Sequence, residues 1–143
     1  MEAPESGAET RAENGITLER VAELLTALAE PTRLRILALL KDGEVCVCHI
    51  HESLKIPQPK ASRHLAYLRR SRLVFTRREG LWVHYRLAED LQAPLRQVLD
   101  AVLASLTSVS EIARDGVRLE ARTGRSRVAR LTARVQRPGM GLT

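Results

Sequence analysis

The sequence predicts a mainly α-helical fold with one small β-hairpin. Three observations carry that expectation. Apolar residues recur at three- and four-residue intervals along most of the chain, strict alternation is confined to 81–87, and Pro or Gly stands at the junctions between the two patterns. Residues 1–15, rich in Glu, Ala and Gly and without apolar periodicity, read as a flexible arm. Leu18, Val21, Leu25 and Leu28 follow 3,4,3 spacing and predict a first helix with one apolar face. Pro31, at home in a first helical turn, opens a second helix, and Leu34, Ile36, Leu37, Leu39 and Leu40 make it apolar on most sides and therefore central. Asp42-Gly43 stops it.

A short third helix is expected over 45–55, ended by Pro57, and Gln58-Pro59-Lys60 opens a fourth. There Ala61, Leu65 and Leu68 share the inner face, leaving Lys60, Arg63, His64, Tyr67 and Arg70 on the other sides. Strands over 73–78 and 81–87 flank the hairpin signal Glu79-Gly80. A long fifth helix follows from about Asp90, with a stripe of Leu91, Leu95, Val98, Val102, Leu106 and Val109. The stripes of the first and fifth helices either cover the core or pair with a second copy, and a symmetric dimer is the favoured reading. The domain is thus expected over 16–113, followed by an Arg-rich tail over 114–143, largely disordered.

Composition excludes several classes. The chain has 143 residues, 44% hydrophobic and 3% aromatic, enough for a modest core and no more than one domain. No apolar run approaches the roughly 18–20 residues that span a bilayer, and the acidic start lacks the regions of a secretory signal. Two cysteines, Cys46 and Cys48, are too close and too few for a disulfide scaffold. A cytoplasmic protein is expected. The net charge of +6 hides a sharper pattern: residues 55–87 hold nine basic residues against one acidic, net +8, while 1–54 carry five against ten, net −5. Such a block within acidic surroundings is the footprint of a phosphate-binding face.

Two short helices joined by a Pro-containing turn, a basic fourth helix and a basic hairpin compose a winged helix-turn-helix. The second helix of that unit enters the major groove of double-stranded DNA, with its N-terminal residues at base edges. Gln58, Lys60, Ser62, Arg63 and His64 lie there, suited to adenine, guanine or phosphate by type. Arg77 and Arg78 beside Gly80 are placed to follow the backbone or minor groove as the wing.

At this point a resemblance becomes specific. Gln58-Pro-Lys-Ala-Ser-Arg-His-Leu-Ala-Tyr-Leu-Arg, then Leu81-Trp-Val-His-Tyr-Arg-Leu, together with Ala29-Glu-Pro-Thr-Arg-Leu-Arg-Ile-Leu-Ala-Leu-Leu, is similar to the ArsR/SmtB family of winged-helix metalloregulators over roughly residues 17–106. The resemblance implies a homodimeric transcriptional repressor, with the first and fifth helices in the dimer interface and the fourth reading operator DNA. Glu44-Val-Cys-Val-Cys-His-Ile-His resembles the Glu-Leu-Cys-Val-Cys-Asp-Leu-Cys segment of arsenic-sensing members, whose cysteines bind As(III) or Sb(III). Soft thiolates favour soft, thiophilic centres, and a helix N-terminus is expected to lower the thiol pKa.

The third cysteine of that segment falls here at His51 and its Asp at His49. Imidazole is a poor ligand for trivalent arsenic, so a two-sulfur site completed by hydroxide or an external thiol is expected, with His51 the candidate third ligand. The same four side chains leave a divalent ion such as zinc open, and a redox pair or a plain buried turn as well. Residues i and i+2 of an ideal helix lie about 200° apart. Cys46 and Cys48 are therefore expected to close on one atom only if the first turn of the third helix unwinds, displacing the fourth.

Zinc-type members carry Asp and His ligands on the fifth helix. Residues 90–113 hold no His, and the N-terminal arm holds neither Cys nor His. In the tail, Arg114, Arg118 and Arg122 recur at four-residue spacing, and Arg127, Arg130, Arg134 and Arg137 follow. The rival class is a thiol-based arsenical-handling enzyme, but no Gly-rich cofactor loop, paired carboxylates or oriented nucleophile supports it. A metal-buffering protein without DNA function is the other rival.

Overall fold

The structure is a computed structural model that describes residues 16–124; the expectations for the arm over 1–15 and for the Arg-rich segment beyond 124 lie outside the described residues. Helix α1 (Leu18–Leu28) is capped by Thr17, whose hydroxyl accepts from the Arg20 amide at 3.0 Å. Its core face is Leu24, Ala27 and Leu28, one step round from the expected stripe. Leu18 and Leu25 stay 79% and 50% exposed. Helix α2 (Pro31–Leu40) begins at a Glu30 cap that accepts the Arg33 amide at 2.8 Å, and buries Ile36, Leu37, Leu39 and Leu40. It is the central helix that its all-round apolarity predicts.

Two residues, Val45 and Cys46, form strand β1 rather than the start of a helix. Helix α3 (Val47–Leu54) follows, closed by Lys55 in the left-handed region at φ 57°. After a three-residue connection, α4 (Gln58–Arg70) buries Ala61, Leu65 and Leu68 as the periodicity predicts. Strands β2 (Val74–Glu79) and β3 (Trp82–Leu87) form the hairpin, with Gly80 at φ 61° in a turn where a side chain would be strained. The sheet order is β1-β3-β2, antiparallel throughout, with Val45 opposite Tyr85 and Cys46 opposite His84. The hairpin is thus extended by a third strand that carries one of the two cysteines.

The expected long fifth helix is two helices. Helix α5 (Ala93–Ser105) ends where hydroxyls in and just past its last turn take carbonyls that a further turn would use: Ser105 Oγ donates to Val102 O at 2.6 Å and Thr107 Oγ1 to Ala104 O at 3.0 Å. Val109 is not the end of the stripe but the extended residue that precedes α6 (Ser110–Thr123). The expected domain end at residue 113 falls inside α6, whose Asp115 and Leu119 are buried. Arg114, Arg118 and Arg122 are therefore on a packed helix, not in a disordered tail. Leu24, Ile36, Leu37, Ile50, Leu65, Leu68, Leu99 and Leu119 meet in one core that draws on every helix. No described helix is long and apolar enough to cross a membrane.

Candidate functional site

The cysteine pair sits where strand becomes helix. Cys46 has extended backbone (φ −72°, ψ 146°) because it is paired with His84, and it serves as the residue before α3 without a side-chain cap. Cys48 lies in the first turn of α3. Its thiol donates to the Cys46 sulfur across 3.2 Å, and both are free thiols. The 200° separation of an ideal helix does not apply, since Cys46 is outside the helix. Both sulfurs already face one point, and no turn has to unwind for them to share an atom. For a tetrahedral zinc with Zn–S bonds of about 2.3 Å the sulfurs would stand about 3.8 Å apart. The observed spacing is tighter, in the direction of a centre with a narrower angle between its sulfur ligands.

Burial pushes the Cys48 thiol up to about 11, reinforced by its hydrogen bond and electrostatic interaction with Cys46 and by the negative charge of Glu52; the His49 backbone acts in the opposite sense. The expected lowering by the helix N-terminus is thus reversed, because loss of water outweighs the dipole of this short helix. At neutral pH Cys48 is a thiol. His49 and His51 are half-buried on α3. Among the described residues no three His, Cys, Asp or Glu side chains are grouped to hold a metal ion, so neither imidazole completes a set with the thiols.

The other end of α3 is fixed by charge. Arg35 of α2 makes a two-pronged bond to Asp115 of α6, 2.9 Å on each arm, and also donates to Leu54 O at 2.9 Å. Arg118 donates to Asp115 at 2.8 Å and to Ser53 O at 2.6 Å. Two guanidinium groups thereby satisfy the last carbonyls of α3, and both pair with one carboxylate that is 1% exposed. Arg122 adds an exposed pair to Glu52 at 3.3 Å. The packing role of Arg118 and Asp115 was not legible in the sequence, because Arg35 and Ser53, to which they reach, are more than 60 residues away.

The helix-turn-helix face keeps three of the seven expected residues fully in the open. Gln58 and Arg63 on α4 and Arg78 on β2 are exposed, and Lys60 and Ser62 are half-buried. Gln58 Nε2 donates to Ser62 Oγ at 3.1 Å, which fixes the two side chains as a unit. His64 is turned inward, 19% exposed and 3.8 Å from Glu30, with its pKa lowered chiefly by burial. It is neutral at pH 7 and belongs to the α2–α4 contact. Arg77 is likewise committed, gripping Glu44 through bonds of 2.8–3.2 Å, with the Glu44 side chain only 4% exposed. Exposed Arg69 and Arg70, at the C-terminal end of α4, extend the basic surface beyond the residues expected to contact DNA. Arg33 stacks over the Tyr67 ring at 4.0 Å and holds α4 against α2.

The family model for the bacterial regulatory proteins of the arsR family matches residues 30–75, from the start of α2 into β2. The arsenical resistance operon repressor of Escherichia coli K12 is 47% identical over 79 residues, 54% of this chain and 68% of that protein. Among solved structures, HlyU from Vibrio cholerae shares 33% identity at a TM-score of 0.55, over 61% of this chain and 91% of that one. The homodimeric winged helix-turn-helix domain of a possible ArsR-family regulator from Mycobacterium bovis shares 34% at 0.53, over 65% and 85%.

Proposed function

The chain belongs to the ArsR family of bacterial regulatory proteins, and on that premise we propose that it is a repressor that holds operator DNA as a homodimer and releases it when trivalent arsenic or antimony bonds to Cys46 and Cys48. The observation that carries the ligand is the pair of thiols 3.2 Å apart at the β1–α3 junction. The protonated state of Cys48 supports the same choice. Each thiol gives its proton to a hydroxide of arsenous acid, which leaves as water while an S–As bond forms. Arsenic stays trivalent and no electron is transferred. A divalent cation brings no such base, so the thiol proton must go to solvent from a group whose pKa stands near 11.

Gln58, Lys60, Ser62 and Arg63 at the start of α4 are the residues for base edges and phosphates, with Arg78 on the wing. Dimerisation through α1 and α5 accounts for two leucines of α1 left exposed and for Val98 and Val102 half-covered on α5. It agrees with the homodimeric relative. A ligand that ties Cys46 to Cys48 fixes strand β1 against the N-terminal end of α3, the helix whose other end leads through residues 55–57 into α4.

A gel shift with the DNA upstream of the protein's own gene, run with and without arsenite, tests the reading. Retarded DNA that is freed by arsenite is expected. Cys46→Ser with Cys48→Ser is expected to keep the retarded band and lose its release. Release that persists in the double variant rejects the site.

A further inference from the structure

We propose that the wing is the output of the cysteine pair, and that the Glu44–Arg77 ion pair is the link that carries the signal to it. The inference rests on the reading of Cys46 and Cys48 as the inducer site and specifies how that site acts on DNA binding. Cys46, His84 and Arg77 stand directly opposite one another across β1, β3 and β2, so their side chains form one row on one face of the sheet. Glu44, two residues before Cys46, reaches over the same face to Arg77, and its buried carboxylate bonds both Nε and Nη2. Arg77 continues to Glu79 at 3.4 Å, and Glu79 is opposite Trp82 at the hairpin tip. His84 Nε2 stands 3.3 Å from the same Glu79 oxygen, buried and without an aligned hydrogen bond.

The strand that holds one ligating sulfur is therefore fastened to the wing twice, by its backbone pairing and by a two-pronged ion pair. The other sulfur is on α3, whose far end is fastened to α2 and α6. A ligand bonded to both sulfurs sets the position of Cys46 relative to the helix, which is held, so the adjustment falls on the strand. Glu44 and Arg77 pass that movement to β2 and its tip, where Leu81 and Trp82 are 95% and 57% exposed. A fork-shaped Arg–carboxylate contact transmits orientation as well as position, which a lysine in the same place does not.

Trp82 is the only tryptophan in the chain, so its fluorescence reports the wing tip without DNA. The test titrates arsenite into the full-length protein and its Glu44→Gln and Arg77→Lys variants. It follows three quantities: free thiols, Trp82 emission, and the ratio of operator Kd with arsenite to Kd without. In the wild type, thiols are expected to be blocked as Trp82 emission shifts. In both variants thiols are expected to be blocked as in the wild type, while the Trp82 shift shrinks and the Kd ratio falls by about fivefold or more, the lower range of ordinary coupling. The ratio is compared, so any change in basal DNA affinity divides out. Should Glu44→Gln fail to fold by circular dichroism, Arg77→Lys, which keeps the charge, carries the test alone. Variants that retain the wild-type Trp82 shift and Kd ratio overturn the link and leave the inducer site standing. A wild type whose thiols arsenite does not block removes the site and the link together.

Discussion

The two ends of α3 are built on opposite principles. At its C-terminal end two guanidinium groups close the last carbonyls, and Asp115, 1% exposed, balances them from a helix more than 60 residues on. At its N-terminal end there is no side-chain cap, only a two-residue strand and two sulfurs 3.2 Å apart. One end is anchored by the strongest class of side-chain contact and the other is left to be completed. A helix clamped at one end and open at the other turns a local bond at the open end into a displacement of what lies beside it. Here that is the sheet, since the opposite side is fixed.

Breaking the anchored end is expected to have the largest effect. Asp115→Asn leaves Arg35 and Arg118 facing a neutral group in a largely dry site. Stability is expected to fall by about 3 kcal/mol, the scale for removing one partner of a buried ion pair, read as a drop in the thermal midpoint. The open end is sharpened by its pH dependence. With Cys48 held near 11, only about a thousandth of it is thiolate at pH 8, so alkylation by iodoacetamide is expected to be slow there and to rise about tenfold per pH unit towards 11. Alkylation of Cys48 already complete in seconds at pH 7 contradicts the burial that raises it.

Replacing both sulfurs, Cys46→Ser with Cys48→Ser, is expected to shift stability by no more than about 1 kcal/mol, since a thiol–thiol contact gives less than an ordinary hydrogen bond. A loss as large as that of Asp115→Asn removes the contrast between the ends. The smallest change is at Lys55, left-handed at φ 57°. Lys55→Gly relieves a backbone penalty against an entropic cost, for a net gain of about 0.5 kcal/mol visible in denaturant midpoints.

Periodicity alone located α1, α2, α4 and the hairpin, because each of these elements buries a face set by local spacing. It misjudged α1 by one step, since Leu18 and Leu25 fit the stripe as well as Leu24 and Ala27 do, and only the packed neighbours choose between them. It ran α5 on to Val109, because Ser105 and Thr107 are acceptable in a helix until their hydroxyls find the carbonyls behind them. It read residues 45–55 as one helix because a two-residue strand has no pattern of its own. Val45 and Cys46 are strand only because β3 offers them partners 38 or more residues away. That pairing reverses the geometric argument about the thiols.

The site divides in the same way. Gln58, Lys60, Ser62, Arg63 and Arg78 were legible as a polar and basic set off the core face, because charge and register are properties of nearby residues. His64 and Arg77 were assigned to the same set by type, yet one packs beneath α4 and the other grips Glu44, since a side chain goes to the partner within reach. The sequence by itself determined the kind of fold, the +8 block and the presence of two thiols two residues apart. Tertiary structure alone decided that those thiols meet, that burial keeps Cys48 protonated, and that α6 locks the far end of their helix. Spacing fixes which face a residue takes, but distance, solvent access and long-range partners exist only once the chain has closed on itself.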